Sequence, residues 1–121
     1  MTSYTNATAR GLSGTIYQFQ LYPAGTHFRD LPGIYVFTRP NPNGGWHVLY
    51  VGQTHDLQGR VGSCLGTHHQ YRAAKAKGFT HVGVHVFPGR EDARLRAEGD
   101  LIAGLRPELN GNGGQATYRF A

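Results

Sequence analysis

The 121-residue sequence has a single cysteine, no long apolar run and only seven acidic residues. One cysteine excludes a disulfide framework and a cysteine-based zinc finger within one chain, and it is consistent with a reducing compartment. No run approaches the ~18 apolar residues of a membrane span, and the first residues lack the charged and apolar regions of a signal peptide. These features predict a cytoplasmic protein with one domain, because the length leaves little room for a second.

The charge is distributed unevenly along the chain. Residues 1–90 carry eight Lys or Arg and two Asp or Glu, whereas residues 91–121 carry four and five. A basic body favours a polyanionic partner such as nucleic acid, although small proteins are also basic without one. Glycine makes up 18 of the 121 residues, about twice its usual share of ~7%. This excess predicts a backbone with many tight turns or close approaches.

Four segments have the alternation or the apolar content that is typical of strands. They are residues 15–21, 34–38, 46–51 and 79–87. The second and third segments are joined by a loop rich in Pro, Asn and Gly, which indicates a hairpin. Residues 1–14 are rich in Thr, Ser and Gly and predict an arm with little order.

Helices are predicted in the second half of the chain. Apolar residues recur at spacing four between residues 57 and 65, which favours a helix despite two intervening glycines. Residues 67–77 contain good helix formers and are followed by Gly78 as a stop signal. Residues 91–106 give the strongest prediction, because acids occupy the first turn and a proline follows the last residue.

The last predicted helix carries a carboxylate on its apolar stripe. Leu95, Ile102 and Leu105 share one face of the helix, and Glu98 lies on the same face. A carboxylate on a buried face is costly unless it is paired or binds a metal. The alternative is a Glu at the edge of the stripe that pairs with an Arg or extends to solvent.

Five short motifs follow one another in a recognisable order. They are Gly33-Ile34-Tyr35, Tyr50-Val51-Gly52, Arg60 ten residues after Tyr50, Glu98 with Leu101-Ile102, and Pro107 with Asn110. With these motifs in this order, the chain resembles the GIY-YIG endonuclease superfamily from residue 32 to residue 110.

The resemblance implies an α/β fold of the α+β type, in which helices flank a central antiparallel sheet of three strands. The second, third and fourth predicted strands would form that sheet, and residues 15–21 would be an extra N-terminal strand. The expected organisation is an arm with the extra strand over 1–31, a nuclease-like domain over 32–110, and a tail or short strand over 111–121.

The resemblance also implies hydrolysis of phosphodiester bonds in DNA with one divalent metal ion, Mg²⁺ or Mn²⁺. Glu98 is the expected metal ligand, since Mg²⁺ is often held by one carboxylate together with water and a substrate phosphate. Arg60 is expected to neutralise charge on the phosphate. Tyr35 and Tyr50 are the candidates for activating water, but a phenol of pKa ~10 needs a nearby cation to serve as a base. Which tyrosine acts stays open, and strand packing is the alternative for both.

Histidines are candidates for a role that the family often assigns to a helix residue after the arginine. His68 and His69 follow Arg60 by eight and nine residues. They are candidate catalytic residues, although their spacing departs from the family's pattern. His55, in the loop after the second motif, is a candidate phosphate contact.

Further residues are expected around the site. Asn110 is a candidate for holding the helix of Glu98 against the sheet or for contacting substrate, and a capping or turn residue is the alternative. Gly33 opens the first motif, and Gly52 would let the backbone turn sharply beneath the site. Phosphate contacts, with salt-dependent binding, are also expected from the basic side chains of the 67–77 helix, although a solvated face is the alternative. These side chains are Arg72, Lys75 and Lys77.

The leading hypothesis is a metal-dependent endonuclease that acts on DNA as a monomer or weak dimer. The alternatives are a non-catalytic nucleic-acid-binding module on the same fold, and a nuclease toxin or mobile-element domain. No second DNA-reading domain is evident in the sequence. Specificity would therefore come from the loops, the 67–77 helix, the N-terminal arm or a partner, and single-stranded, branched or nicked DNA is a reasonable substrate.

Overall fold

The computed structural model describes residues 3–111, in which five strands form one antiparallel sheet. The strands are β1 (Thr5–Arg10), β2 (Ile16–Pro23), β3 (Gly33–Pro40), β4 (Trp46–Thr54) and β5 (His81–Val86). Their order in the sheet is β1-β2-β5-β3-β4, and every neighbouring pair is antiparallel. The chain has the expected α+β class, but the sheet contains five strands instead of three with one extra.

Helical segments follow β4 and β5. A π-helical turn (Gln58–Gly62), a 3-10 turn (Leu65–Thr67) and helix α1 (Tyr71–Ala76) come before β5, and helix α2 (Glu91–Leu105) comes after it. The prediction of a helix over 67–77 was wrong at its start, because His68 has an extended backbone with φ −63° and ψ 135°. Among residues 3–111, no helix is long and apolar enough to cross a membrane.

Strand β1 corrects the expectation of an arm with little order. It pairs with β2 along its whole length, from Thr5 opposite Leu21 to Arg10 opposite Ile16. Because β2 pairs in turn with β5, the N-terminal segment belongs to the same sheet as the rest of the chain. The tail expected over 111–121 lies, apart from its first residue, outside the described residues.

The sheet has two faces, and each covers its own apolar cluster. On the first, called here the α2 face, strand residues pack against α2; the buried members are Tyr17, Phe19, Leu21, Ile34, Val36, Val51, Ala97, Leu101 and Ile102. On the second, called the α1 face, strand residues pack against the turns and α1; the buried members are Tyr35, Phe37, Leu49, Leu57, Val61, Leu65, Ala74, Phe79, Val82 and Val84. The alternation of side chains along a strand therefore places Ile34 and Tyr35 on opposite faces.

The buried side of α2 differs from the predicted stripe. Leu95 is 44% exposed, whereas Arg94 is only 4% exposed and packs with the face that contacts the sheet. Glu98 is half-buried, so it lies at the boundary of that face. The predicted stripe was therefore rotated relative to the true buried side, because the pattern gave Leu95 more weight than a charged neighbour.

The hairpin of β1 and β2 is fastened to α2 by one carboxylate. Asp100 accepts hydrogen bonds from the backbone N–H of Ser13 at 2.8 Å, the Ser13 hydroxyl at 2.7 Å and the Tyr17 hydroxyl at 2.8 Å. Burial opposes ionisation, yet these bonds hold the pKa of Asp100 below its usual value. Burial and the bond to Asp100 raise the pKa of Tyr17 to about 12.

Candidate functional site

A buried tyrosine–histidine pair forms the centre of the site on the α1 face. Tyr35 lies in β3, and its Oη is 2.7 Å from Nε2 of His68. His68 is only 3% exposed, although it lies in the connection between the 3-10 turn and α1. The ring of Phe37 contacts the His68 ring with centroids 4.8 Å apart. The pair is therefore held in position by packing as well as by its hydrogen bond.

The hydrogen bonds of His68 determine which ring nitrogen carries the proton. The backbone N–H of Gln70 donates to Nδ1 at 3.0 Å, so Nδ1 must accept. Burial, the charge of Arg60 and the neighbouring His69 lower the pKa of His68 to about 3, so the ring is neutral near pH 7. A neutral ring that accepts at Nδ1 has its proton on Nε2. His68 therefore donates to the Tyr35 hydroxyl oxygen.

A second pair lies beside the first. Arg60, in the π-helical turn, donates from Nη2 to Nδ1 of His69 at 3.0 Å. Burial and the charge of Arg60 lower the pKa of His69. The rings of His68 and His69 stack with centroids 4.6 Å apart and planes 17° apart. By the same reasoning as for His68, His69 carries its proton on Nε2, and this exposed residue can donate to a bound anion.

The ionisation of Tyr35 depends on several of the predicted residues. Burial is the largest cause and raises the pKa of Tyr35 above its usual value, and Tyr50 and Glu98 raise it further. A hydrogen bond from Arg60 and its positive charge act in the opposite direction. Tyr35 is therefore a neutral phenol near pH 7, so the cation that the sequence suggested as an activator does not overcome burial.

Tyr50 lies next to this cluster on β4. Its ring centroid is 6.1 Å from that of Tyr35, 5.3 Å from that of His68 and 5.8 Å from that of His69. The residue is half-buried, in contrast to the buried Tyr35. The two tyrosines of the sequence motifs therefore share one aromatic cluster but differ in their access to solvent.

Glu98 approaches the cluster from α2. Its charge acts on the pKa of Tyr35, which places the carboxylate within electrostatic range of the phenol. Among residues 3–111, no group of three or more His, Cys, Asp or Glu side chains is arranged to hold a metal ion. A half-buried carboxylate is a hard oxygen donor, and it fits Mg²⁺ or Mn²⁺ bound mainly through water and substrate phosphate.

Both motif glycines occupy places where a side chain would collide. A Cβ on Gly52 would overlap the phenol of Tyr35, and a Cβ on Gly33 would meet the backbone oxygen of His85 and the side chain of Leu57. The close approach at Gly52 allows the Tyr35 ring to lie across β4. Gly52 lies inside β4, so the expected sharp turn was wrong, and both glycines serve packing contacts at the site.

Asn110 ties the segment after α2 to the edge of the sheet. Its Oδ1 accepts from the backbone N–H of Val51 at 2.8 Å, and its Nδ2 donates to the Val51 carbonyl at 2.8 Å. The backbone N–H of Leu109 also donates to the Leu49 carbonyl at 3.1 Å. Asn110 is buried, and both ends of its amide are committed to β4. These contacts describe a positioning residue next to the Tyr50 motif.

Other predicted binding residues are dispersed over the surface. His55 is exposed after β4, and Arg72 is exposed on α1. Lys75 Nζ lies 5.8 Å from the centroid of the Tyr71 ring, and Lys77 Nζ forms an ion pair with Glu108 at 3.0 Å. These contacts of Lys75 and Lys77 involve none of Tyr35, His68, His69 or Arg60.

Sequence reasoning missed a buried arginine near the site. Arg94 Nε donates to Oε1 of Gln53 at 3.0 Å, and its Nη1 donates to the carbonyl of Gly89 at 3.4 Å. Arg94 precedes Glu98 by one helical turn, and Gln53 directly follows Gly52. The bond therefore links the helix of the candidate metal ligand to the strand of the second motif. The position of Arg94 one turn before Glu98 was the available signal.

Comparison with known proteins gave no match: no family model, no curated protein and no solved structure matches this chain. The interpretation of the site therefore depends on the motifs and on the geometry described above.

Proposed function

We propose that the chain is a metal-dependent endonuclease that hydrolyses phosphodiester bonds in DNA. The supporting observation is that Arg60, His69, His68 and Tyr35, from three separate segments, form two hydrogen-bonded pairs whose histidine rings stack. Glu98 acts on the same phenol from a different helix. A guanidinium, histidine donors, phenols and one carboxylate are the groups that phosphodiester hydrolysis requires.

Arg60 and His69, called here the cationic half of the site, are assigned to bind the phosphate. The guanidinium of Arg60 is always charged, and its hydrogen bonds to His69 and Tyr35 leave part of its five N–H groups for other acceptors. Its other donors suit the oxygens of a phosphate, whose charge increases as water adds to phosphorus. The Nε2–H of the exposed His69 is a second donor for the same group.

Tyr35 and Tyr50, called here the phenolic half of the site, are assigned to orient the attacking water and accept its proton. Because Tyr35 is neutral and accepts a hydrogen bond from His68, it acts in the resting state by orienting a group through its O–H. Tyr50 remains the other candidate for accepting the proton of the attacking water. As the water oxygen bonds to phosphorus, the P–O bond to the leaving oxygen breaks, and that oxygen takes up a proton from solvent.

Glu98 is the residue assigned to hold the divalent cation. When bound, such a cation supplies a water of lowered pKa and neutralises charge on the phosphate. Arg94 and Gln53 would hold the helix of Glu98 in register with β4.

The test is a cleavage assay on single-stranded, duplex, nicked and branched DNA with Mg²⁺, with Mn²⁺ and with a chelator. We expect cleavage that the chelator abolishes. Glu98→Gln should abolish it, and Arg60→Gln should reduce it by about 10²–10³-fold. The matched controls are Glu91→Gln and Arg96→Gln, since both residues are exposed on α2.

Circular dichroism confirms that each variant is folded before its activity is compared. Cleavage that survives Glu98→Gln would contradict the assigned site. Tight DNA binding without cleavage under either metal would instead identify a nucleic-acid-binding module. A toxin or mobile-element domain would use the same chemistry, and the assay does not separate it from other nucleases.

A further inference from the structure

The turns and α1 cover only part of the α1 face of the sheet. On β1 and β2 the side chains of this face are exposed or half-exposed, while the opposite face of the same strands is packed on α2. We call this uncovered area the open face; it comprises Tyr4, Asn6, Thr8, Gln18, Gln20 and Tyr22, with Arg10 and Ile16 at its far end. Amides, hydroxyls and two phenols make up most of this surface, and Tyr4 is 49% exposed.

The open face is continuous with the candidate site through the register of the strands. Asn6 pairs with Gln20, Gln20 with Val84, and Val84 with Tyr35. Neighbouring strands are about 4.8 Å apart, so Gln20 lies about 10 Å and Asn6 about 14 Å from Tyr35 along this row. This row of paired positions therefore connects the open face to Tyr35 within the sheet.

A groove with aromatic walls lies at the junction. Its cavity of about 330 Å³ is lined in part by Tyr22, His27, Phe28 and Arg29. The Tyr22 ring lies 5.4 Å from that of Tyr4 and 5.5 Å from that of Phe28, measured between centroids. Three rings therefore follow one another from the edge of the sheet into the groove.

The groove is fixed to the segment that carries Arg60. The backbone N–H of Phe28 donates to Oε1 of Gln58 at 2.6 Å, and the backbone N–H of Leu57 donates to the Leu31 carbonyl at 2.9 Å. Gln58 lies in the same π-helical turn as Arg60. The groove and the cationic half of the site thus form one connected unit.

We propose that the open face and this groove bind an unpaired stretch of single-stranded DNA that leads to the site. Exposed aromatic rings suit bases that are not stacked on a complementary strand, and cations beside them suit the phosphates. Arg29 and His27 are exposed, and one acidic residue, Asp30, lies in the same loop. The amides of Asn6 and Gln20 can hydrogen-bond the base edges that a duplex would occupy with its own pairing. This inference rests on the proposed function and names its substrate class.

The test measures binding on the Glu98→Gln background, so that cleavage does not interfere. Fluorescence anisotropy with a labelled single strand and with the blunt duplex of the same sequence gives the two dissociation constants. We expect tighter binding of the single strand. Tyr4→Leu should weaken that binding about 5-fold or more through lost stacking, whereas Tyr4→Phe should leave it within about 2-fold.

Charge is tested separately through the dependence on salt. Arg29→Gln should reduce the slope of log affinity against log salt by about 0.7, the value for one contact to a single strand. Arg96→Gln, which lies on α2 behind the opposite face, should leave the slope unchanged.

The outcomes separate the surface from the chemistry. Equal binding of duplex and single strand, or binding that neither Tyr4→Leu nor Arg29→Gln changes, would overturn the proposed single-strand binding surface even if the protein cleaves DNA. Binding that responds to both variants in a protein that cleaves no DNA with Mg²⁺ or Mn²⁺ would support the surface and overturn the nuclease assignment.

Discussion

Protonation of His68 should destabilise the fold at mildly acidic pH. The neutral ring accepts the N–H of Gln70 at Nδ1, and a proton on that nitrogen would oppose the N–H directly. Burial comes first among the causes that lower the pKa of His68 to about 3, followed by the charge of Arg60. In the unfolded chain the pKa of His68 is that of an ordinary histidine, ~6.5.

The sign and size of the effect follow from these two values. The unfolded state binds the proton between about pH 6.5 and pH 3, whereas the folded state does not, so the free energy of unfolding falls as the pH falls through this window. The contribution of neutral His68 to the free energy of unfolding is fully present at pH values above this window. Between about pH 7 and pH 5 the loss from this one group is about 2 kcal/mol.

Urea unfolding of the wild type and of His68→Gln at the two pH values measures this loss. The Gln amide can donate to Tyr35 but does not titrate, so the variant should lose about 2 kcal/mol less than the wild type between pH 7 and pH 5. Far-UV circular dichroism is the better signal, because the single tryptophan, Trp46, packs against His81 and that histidine also titrates with a lowered pKa.

His69 and His81 are present in both proteins, so their own titration largely cancels in the difference. His55→Gln is the matched control, since His55 is exposed, and it should follow the wild type. If the wild type and His68→Gln lose the same free energy between the two pH values, the neutral buried state of His68 is refuted.

Two further substitutions test the packing around the site. Gly52→Ala should lower the free energy of unfolding by about 1–3 kcal/mol and reduce cleavage, because its Cβ would overlap the Tyr35 ring. The control is Gly66→Ala, which has open space around it and should do neither. Equal losses of stability in urea unfolding would contradict the reasoning. Asn110→Ala should lower the free energy of unfolding by about 1–3 kcal/mol and speed hydrogen exchange at the Val51 amide. Unchanged exchange there would show that the bond from Val51 to Asn110 is not formed.

Most strands and α2 could be predicted because their own residues carry the signal. The alternation in β2 matches its buried side, and the apolar content of β3 reflects burial on both faces. In β5 the alternation marked the strand but not its buried side, because Gly83 is buried as well and Val86 is exposed. β1 has no such pattern: its sequence, TNATAR, is polar, and its strand conformation depends on pairing with β2. A partner distant in sequence therefore decides this element, which local propensity cannot supply.

The site shows the same limit at the level of side chains. The order of the motifs indicated Tyr35, Tyr50, Arg60 and Glu98. In the structure the last three all affect the pKa of Tyr35 through charge or hydrogen bonding. His68 was a weaker prediction because its spacing from Arg60 was irregular. The 3-10 turn that ends at Thr67 produces that spacing, and no helical period applies across it.

The direction of the hydrogen bonds limits what Tyr35 can do. The Gln70 N–H donates to His68, and His68 donates to Tyr35, so the phenol stands at the accepting end of a chain of donors. It cannot pass its own proton to His68, because the facing nitrogen already carries one. Any proton that leaves Tyr35 must therefore move away from His68. Tyr35→Phe would leave the buried Nε2–H of His68 without its acceptor, so this variant should lose stability in urea unfolding as well as cleavage. Tyr50→Phe removes the hydroxyl of a half-buried residue, and its cleavage is judged together with its own urea unfolding.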